Sequence, residues 1–593
     1  MNFKLLTSKE MSNAGLALGV LLLISLFSQI AFAQKPTTIY LAGDSTMAQK
    51  TADKRPETGW GEMLGKFFQA GAVNIVNEAQ NGRSSKSFIA EGRWQAIVDR
   101  LQKGDYVFIQ FGHNDESKDK GERYAPPAEF RANLTRFVAE VRAKQAFPVL
   151  LTPVMRRRFN EQGEFYDTHG EYPDLTRGVA ADTQTPLIDM HRLSEKTLKQ
   201  FGVDSSKKLF LQLKPDENPN YPKGVEDNTH FNAYGAEVMA SLAVEGLRAL
   251  HSPLARLLDK QTDEVFRDRL LPAPLDGGFR MEGYWVWCGS VIKGEDGKYH
   301  MFASRWPKTT GFGPYWLTNS EIVHAVSDTP AGPYQFSEVA LPPRGPQFWD
   351  GQMTHNPAIR KYGKTYLLYY TGTTYPDPRP GPDNLITEES EKKLYAHQRE
   401  RIGLATSASP YGPWKRLDKP ILDTRPNSWE QYLVSNAAPL VLKNGKVMLY
   451  YKGVEKLRTH AIGLAIADKP EGPYRRASDQ PLNLGIGAED PFVWQEKGLF
   501  HALMLDHDYK YSNKEIFYAT SKDGLRWDIA ANPVAVFKNV LWADGQYRRM
   551  NSAERPHVLI ENGKPTHVFF ATGETKNGQR FTWNMVIPLQ TEK

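Results

Sequence analysis

A short phrase recurs in the second half of this chain, and it restricts the fold more tightly than any composition does. It runs from Ile322 to Tyr334, returns from Ile402 to Trp414 and from Ile462 to Tyr474, and has a looser copy from Ile516 to Trp527. The first three copies close on Gly-Pro and an aromatic residue. Ahead of the later copies lie paired apolar runs, Asn356–Tyr370, Ala438–Tyr451 and Asp490–Leu505, with turns at Gly363, Gly445 and Gly498. An opening pair at Tyr284–Ser304 and a closing pair at Arg555–Thr572 bring the count to five units. Helical spacing is absent. Radial repetition of small antiparallel sheets predicts a five-bladed β-propeller over residues 279–593, with two stacked β-sandwiches as the competing architecture.

The first half follows another pattern. Strand-like runs at Thr38–Ala42, Val73–Asn77, Tyr106–Phe111 and Pro148–Thr152 alternate with helical segments at Gly61–Gln69, Pro127–Lys144 and Ala233–Leu250. In the second of these helices Phe130, Leu134, Phe137, Val138 and Val141 share one side. The alternation predicts an α/β domain of three layers over residues 34–250, with a parallel sheet covered on both faces. Residues 251–278, with Pro272, Pro274 and Gly277-Gly278, read as a connector. Sites in such sheets lie at the carboxyl ends of the strands.

At 593 residues the chain exceeds a single core, in keeping with two domains. Lys4 and Lys9, an apolar run from about Leu16 to Ile30, and Ala31-Phe32-Ala33 read as a signal peptide of residues 1–33. Cleavage after Ala33 implies a periplasmic or secreted protein with no stable membrane span; an uncleaved N-terminal anchor is the alternative. The lone Cys288 excludes an intrachain disulfide and a cysteine-rich metal site. The net charge of +6 includes no dense Lys/Arg block, so no nucleic-acid partner is expected. Thirteen Trp, 26 Tyr and 29 Phe offer faces that stack on sugars, although most aromatics serve cores.

A serine hydroxyl attacks a carbonyl only when a base takes its proton and donors await the oxyanion. The first half holds candidates for each role. Ser45, in Gly43-Asp44-Ser45-Thr46, follows the first strand, and Gly82 lies in Asn81-Gly82-Arg83-Ser84-Ser85. Asn114 follows the third strand in Gly112-His113-Asn114-Asp115, and His113 beside it reads as a wall residue. Asp227 and His230 are spaced so that the carboxylate meets one imidazole nitrogen while the other faces Ser45.

These blocks, from about Thr38 to Ala240, resemble the SGNH (GDSL-type) hydrolase superfamily, and within it the rhamnogalacturonan acetylesterase-like carbohydrate esterase family 12. The resemblance implies Ser45 as nucleophile, His230 as base, Asp227 as its orienting acid, and an oxyanion hole of the Ser45 and Gly82 N–H groups with the Asn114 amide. It implies no metal and no cofactor. The expected partner is an acetylated polysaccharide or oligosaccharide of pectic type, deacetylated by acyl transfer to water.

The second half is similar to the five-bladed glycoside hydrolase family 43, which carries acids near the starts of its first three blades. Here the corresponding positions read as Glu282, Asn356 and Asn436, and further acids stand at Asp350, Glu489, Asp490 and Glu554. An amide transfers no proton at neutral pH, so the preferred reading is a sugar-binding propeller. A glycosidase with an altered layout and a plain scaffold stay open. A glycan-binding protein with a vestigial esterase half is the third function, and the complete set around Ser45 speaks against it.

Overall fold

The computed structural model describes residues 36–259, 266–456 and 460–591, so the signal-peptide reading lies outside it. In the first half β1 (Thr37–Gly43), β2 (Val73–Asn77), β3 (Tyr106–Gln110), β4 (Phe147–Leu151) and β5 (Leu187–Ile188) form one sheet in the order β2-β1-β3-β4-β5. Its pairings are all parallel. Successive residues of β1 are apolar because both faces are covered. Ile39 and Leu41 pack with Phe108, Leu151 and the helix Ala233–Ala249, through Val238 and Leu242. Tyr40 and Ala42 pack on the other face with Val107, Ile109 and the expected Phe130, Leu134, Phe137, Val138 and Val141 of the helix Pro127–Ala143. The three layers are those expected. The predicted helix at Gly61–Gln69 is shorter, one turn at Trp60–Met63 running into a 3₁₀ turn at Leu64–Phe67.

The second half is a five-bladed propeller. Four-stranded antiparallel sheets span 284–341, 353–416, 433–476 and 488–536, and a three-stranded sheet spans 552–588. Phe279 pairs with Asn584 on the open edge of the last sheet, with N–H to carbonyl distances of 2.9 and 3.0 Å. The chain entering the propeller thereby covers the edge of the last blade and closes the ring. Blade 1 is tied to blade 5 by Val286 N to Thr582 Oγ1 (3.0 Å) and Gly289 N to Asn584 Oδ1 (2.6 Å). This closure rules out stacked sandwiches.

In two copies of the repeat the second residue is glycine for a packing reason. A Cβ on Gly403 or Gly463 would meet the ring of Trp349 or Trp429 at 2.7 or 2.8 Å. Those indoles stack on Tyr370 and Tyr451, with ring centroids 5.8 and 6.0 Å apart. Asp350 and Glu430 follow the two tryptophans and accept from the same two tyrosine hydroxyls, at 2.7 and 2.5 Å. Arg344 and Arg416 neutralise Asp350, and Arg425 and Arg476 neutralise Glu430. Asp350 is therefore buried as a structural ion pair and is not brought to the propeller axis.

The two halves share a core. Val534 and Phe537 of the propeller pack into the cluster that holds Phe201 and the helix Ala233–Ala249, with the Phe201 and Phe537 centroids 4.7 Å apart. Around them Ser205 Oγ meets Glu515 Oε1 at 3.3 Å and Arg549 meets Asp204 at 3.2 Å. The connector is anchored at both ends: Leu254 and Leu258 join the first core, and Phe266 joins a propeller core. Among the described residues no helix is long and apolar enough to cross a membrane.

Candidate active site

The strand order reverses between β1 and β3, which opens a crevice at their carboxyl ends. Ser45 follows β1 there. Asp44, fully buried, accepts from the Thr46 N–H (2.9 Å) and Oγ1 (2.8 Å), which holds the turn that carries the serine. Lys50 braces the same turn. Its buried Nζ donates to the Ser45 carbonyl (2.5 Å) and Asn81 Oδ1 (2.7 Å) and pairs with Glu57 Oε1 (2.7 Å).

Asp227 and His230 lie on the strand Val225–Phe231, just ahead of the helix Ala233–Ala249. Asp227 Oδ1 accepts the backbone N–H groups of Thr229 (2.7 Å) and His230 (2.9 Å), while Oδ2 lies 2.7 Å from His230 Nδ1. A carboxylate at Nδ1 places the proton there and leaves the Nε2 lone pair free. Nε2 lies 2.9 Å from Ser45 Oγ. Burial pushes the Asp227 carboxyl up, but the hydrogen bonds and charge of His230 outweigh it and hold the group at about 2.

Three candidate donors stand on the loops that follow β1, β2 and β3. Gly82 has φ +73, a left-handed conformation that suits glycine. Among the described residues neither the Ser45 nor the Gly82 backbone N–H has an acceptor. Asn114 Nδ2 gives one hydrogen to the Arg83 carbonyl at 3.0 Å, which orients the amide and leaves the other free. Asp115 secures this loop, taking Ser85 N (2.8 Å) and Oγ (2.6 Å) on one oxygen and Gly112 N (3.0 Å) on the other. Burial pushes its carboxyl up to about 7. The arrangement can deprotonate a serine hydroxyl and receive an oxyanion.

His113 is buried beside Asn114, as a wall residue should be, and belongs to a chain that sequence reading missed. Its Nδ1 lies 3.2 Å from His169 Nε2, and His169 Nδ1 lies 2.8 Å from Asp167. Burial depresses the His113 imidazole well below its ordinary value. Asp167, His169 and His191 hold ligand atoms close enough for a metal ion, as do His460, Glu489 and His507 in the propeller. In the first group the carboxylate already pairs with both imidazoles, at 2.8 and 3.2 Å. Lys50 and Asp115 carry no local spacing signal, although Asp115 was visible as the last residue of the Asn114 block.

At the propeller axis every blade repeats one backbone event. The register of its first hairpin shifts after Trp287, His355, Ser435, Glu489 and Glu554. The next residue in each case, Cys288, Asn356, Asn436, Asp490 or Arg555, has φ between +51 and +56. These five residues form a connected floor: Cys288 Sγ to Asn356 Oδ1 at 2.7 Å, Asn356 to Asn436, Asn436 Nδ2 to Asp490 Oδ1 at 2.5 Å, and Arg555 N to Asp490 Oδ2 at 3.2 Å. Blade 1 thus contributes Cys288, not Glu282, which stands exposed before the first strand. Asn356, Asn436, Glu489, Asp490 and Glu554 do meet, lining one cavity of about 230 Å³ with Trp287, Trp306 and Trp316. A larger apolar cavity, about 640 Å³, lies at Tyr106, Phe147 and Leu250, away from both groups.

Residues 41–238 match the model of the GDSL-like lipase/acylhydrolase family. The chain is 42% identical over 221 residues to rhamnogalacturonan acetylesterase RhgT of Bacillus subtilis, which covers 37% of this chain and 94% of that protein. It is 32% identical over 222 residues to a rhamnogalacturonan acetylesterase of Emericella nidulans, covering 34% of this chain and 81% of the relative. The solved structure of a family 117 glycoside hydrolase of Zobellia galactanivorans is similar to 54% of this chain and 89% of that one, at 18% identity and a TM-score of 0.39.

Proposed function

The chain belongs to the GDSL-like lipase/acylhydrolase family and is a carboxylic ester hydrolase, and we propose that it removes O-acetyl groups from a pectic, rhamnogalacturonan-like polysaccharide. The observation that carries this reading is the contact of Ser45 Oγ with His230 Nε2 at 2.9 Å, with Asp227 behind the imidazole. In the mechanism His230 takes the Ser45 proton as Oγ attacks the acetyl carbonyl. The N–H groups of Ser45 and Gly82 and the Asn114 amide receive the oxyanion. The imidazolium, held by Asp227, gives its proton to the departing sugar hydroxyl. Water, deprotonated by the same imidazole, then releases acetate and restores Ser45.

An acidic polymer suits the rim of this site. A Cβ on Gly82 would lie 3.1 Å from the Arg123 guanidinium, so this cation stands beside the proposed oxyanion hole. Arg123 is partly buried and has no carboxylate partner among the described residues. A uronate next to the acetylated sugar would supply one. The propeller is the glycan-holding half of this reading, through the three tryptophans of its axial cavity. Export, inferred from residues 1–33 alone, would bring the enzyme to such polymers.

The test compares acetate release from acetylated rhamnogalacturonan and from acetylated xylan, a neutral polymer. Preference for rhamnogalacturonan that disappears after carboxyl reduction supports the assignment. Equal rates on both polymers would contradict the pectic part and leave the esterase part standing.

A further inference from the structure

We propose that Asp167, His169 and His191 form a binding site for a divalent metal ion of the zinc type, set in the rim of the esterase crevice and separate from the triad. Residues 152–171 form the loop at the carboxyl end of β4, the end at which Ser45 follows β1, and His191 is the second residue of the helix Met190–Ser205. The three side chains thus come from two segments that only the folded sheet brings together. Their ligand atoms all lie within 4.8 Å of one another. Within the loop Asp167 Oδ1 takes the His169 backbone N–H at 3.0 Å, a local turn that keeps both side chains together. The same oxygen stands 2.8 Å from His169 Nδ1, and Oδ2 stands 3.2 Å from His191 Nε2. Two ligands of a tetrahedral zinc, each about 2.1 Å from the ion, are about 3.4 Å apart, so little movement is needed to close on one.

An unmet need marks the site. His191 is only 8% exposed, yet its Nε2 makes no hydrogen bond among the described residues, because the nearby Asp167 carboxylate lies out of line with it. A buried ring nitrogen without a partner costs stability, and a metal ion would satisfy it. Two imidazoles and a carboxylate are donors that suit zinc and its borderline neighbours, whereas calcium takes oxygens throughout. Asp167 is the exposed member of the three and gives the ion its way in. The cations nearby are already neutralised. Arg177 Nη2 comes 3.4 Å from His191 Nδ1, but its charge is taken by Asp174 at 2.6 Å and by Asp189 at 2.9 and 3.0 Å. Arg156 pairs with Glu116 at 2.5 Å. In the propeller cluster, by contrast, Lys452 Nζ sits 2.7 Å from Glu489 and competes with a metal there.

A ligating imidazole donates its other N–H to a neighbour, and His169 Nε2 has His113 Nδ1 at 3.2 Å for this purpose. Without metal, the Asp167 carboxylate keeps the His169 proton on Nδ1, so His113 is the donor in this contact; with metal the direction reverses. The ion would join the loop after β4 to the helix Met190–Ser205 and, through His113, to the loop that carries Asn114.

The test titrates the chelator-treated full chain, free of any histidine tag, with Zn²⁺ in a calorimeter. His191→Gln, Asp167→Asn and His507→Gln are titrated beside it, with acetate release as the check that each variant folds. The wild type and His507→Gln should share one saturable Zn²⁺ site. His191→Gln and Asp167→Asn should bind there more than about 100-fold more weakly, beyond the loss that an outer hydrogen-bond partner brings. Zinc X-ray absorption of the loaded wild type should show two imidazoles at about 2.0–2.1 Å. Saturating Zn²⁺ should raise the melting temperature of the wild type and leave that of His191→Gln where it was. No saturable binding by the wild type, or equal binding by the wild type and His191→Gln, would overturn the proposal. Binding lost in His507→Gln alone would also overturn it, by moving the ion to the propeller.

Discussion

His230 Nε2 stands 2.9 Å from Ser45 Oγ, although 185 residues separate them in the chain. The contact needs the turn after β1 and the strand Val225–Phe231 to meet at one end of the sheet, and Asp227 fixes which imidazole nitrogen faces the serine. An Asp227→Asn variant keeps the shape but favours the opposite tautomer. Its kcat for acetate release should fall by about 10⁴-fold with little change in KM. Steady-state kinetics on a soluble acetyl ester gives the result.

Lys50 holds the turn that carries Ser45, the proposed nucleophile. Lys50→Met removes the donor to the Ser45 carbonyl and leaves Glu57 without its buried partner, at a cost of about 3–5 kcal/mol. Adding Glu57→Gln should restore most of the melting temperature and little of kcat. Recovery of both together would mean that Lys50 serves only stability.

The triad was legible in the sequence because each member sits at a strand end or within a short local spacing. Lys50 was not, because Asn81 reaches it from another segment, and Ser45 and Glu57 lie near it in the chain at no telling spacing. The propeller was legible through its Gly-Pro phrase, and in two copies the second residue has a packing reason to be glycine, because an indole lies where a side chain of Gly403 or Gly463 would be. The axial ring was half legible. His355-Asn356-Pro357, Glu489-Asp490-Pro491 and Glu554-Arg555-Pro556 announce the bulge with a proline, Ser435-Asn436-Ala437 keeps only the asparagine, and Trp287-Cys288-Gly289 has neither, so Glu282 was the wrong residue to align. Asp350 misled for another reason, since a buried structural acid and a catalytic one look alike in a sequence. The shared core of the halves left no pattern, because Phe201 and Phe537 are ordinary core residues in their own segments.

Glu515 makes that shared core sensitive to pH. Burial raises its carboxyl to about 7 in the folded protein, against about 4.3 in an unfolded chain. Between these values the folded state binds the proton that the unfolded state has lost, so stability falls as pH rises and levels off above about 7. Glu515→Gln should remove this slope. Thermal melting at pH 5 and pH 8 should show a larger loss in the wild type than in the variant.

Arg123 should act on substrate choice. Arg123→Gln is expected to raise KM for acetylated rhamnogalacturonan and leave kcat and the hydrolysis of a neutral acetyl ester unchanged. Removing one charge-assisted hydrogen bond of about 1.5–3 kcal/mol corresponds to roughly a ten- to hundredfold rise.

The most direct measurement of the central claim is rapid acid quench of the enzyme during turnover of an acetyl ester, followed by peptide mapping. The account predicts one acetyl group on the peptide that carries Ser45, and neither that adduct nor acetate release in Ser45→Ala. Acetate release that persists in Ser45→Ala, or an acetyl group found on another residue of the first half, would contradict it.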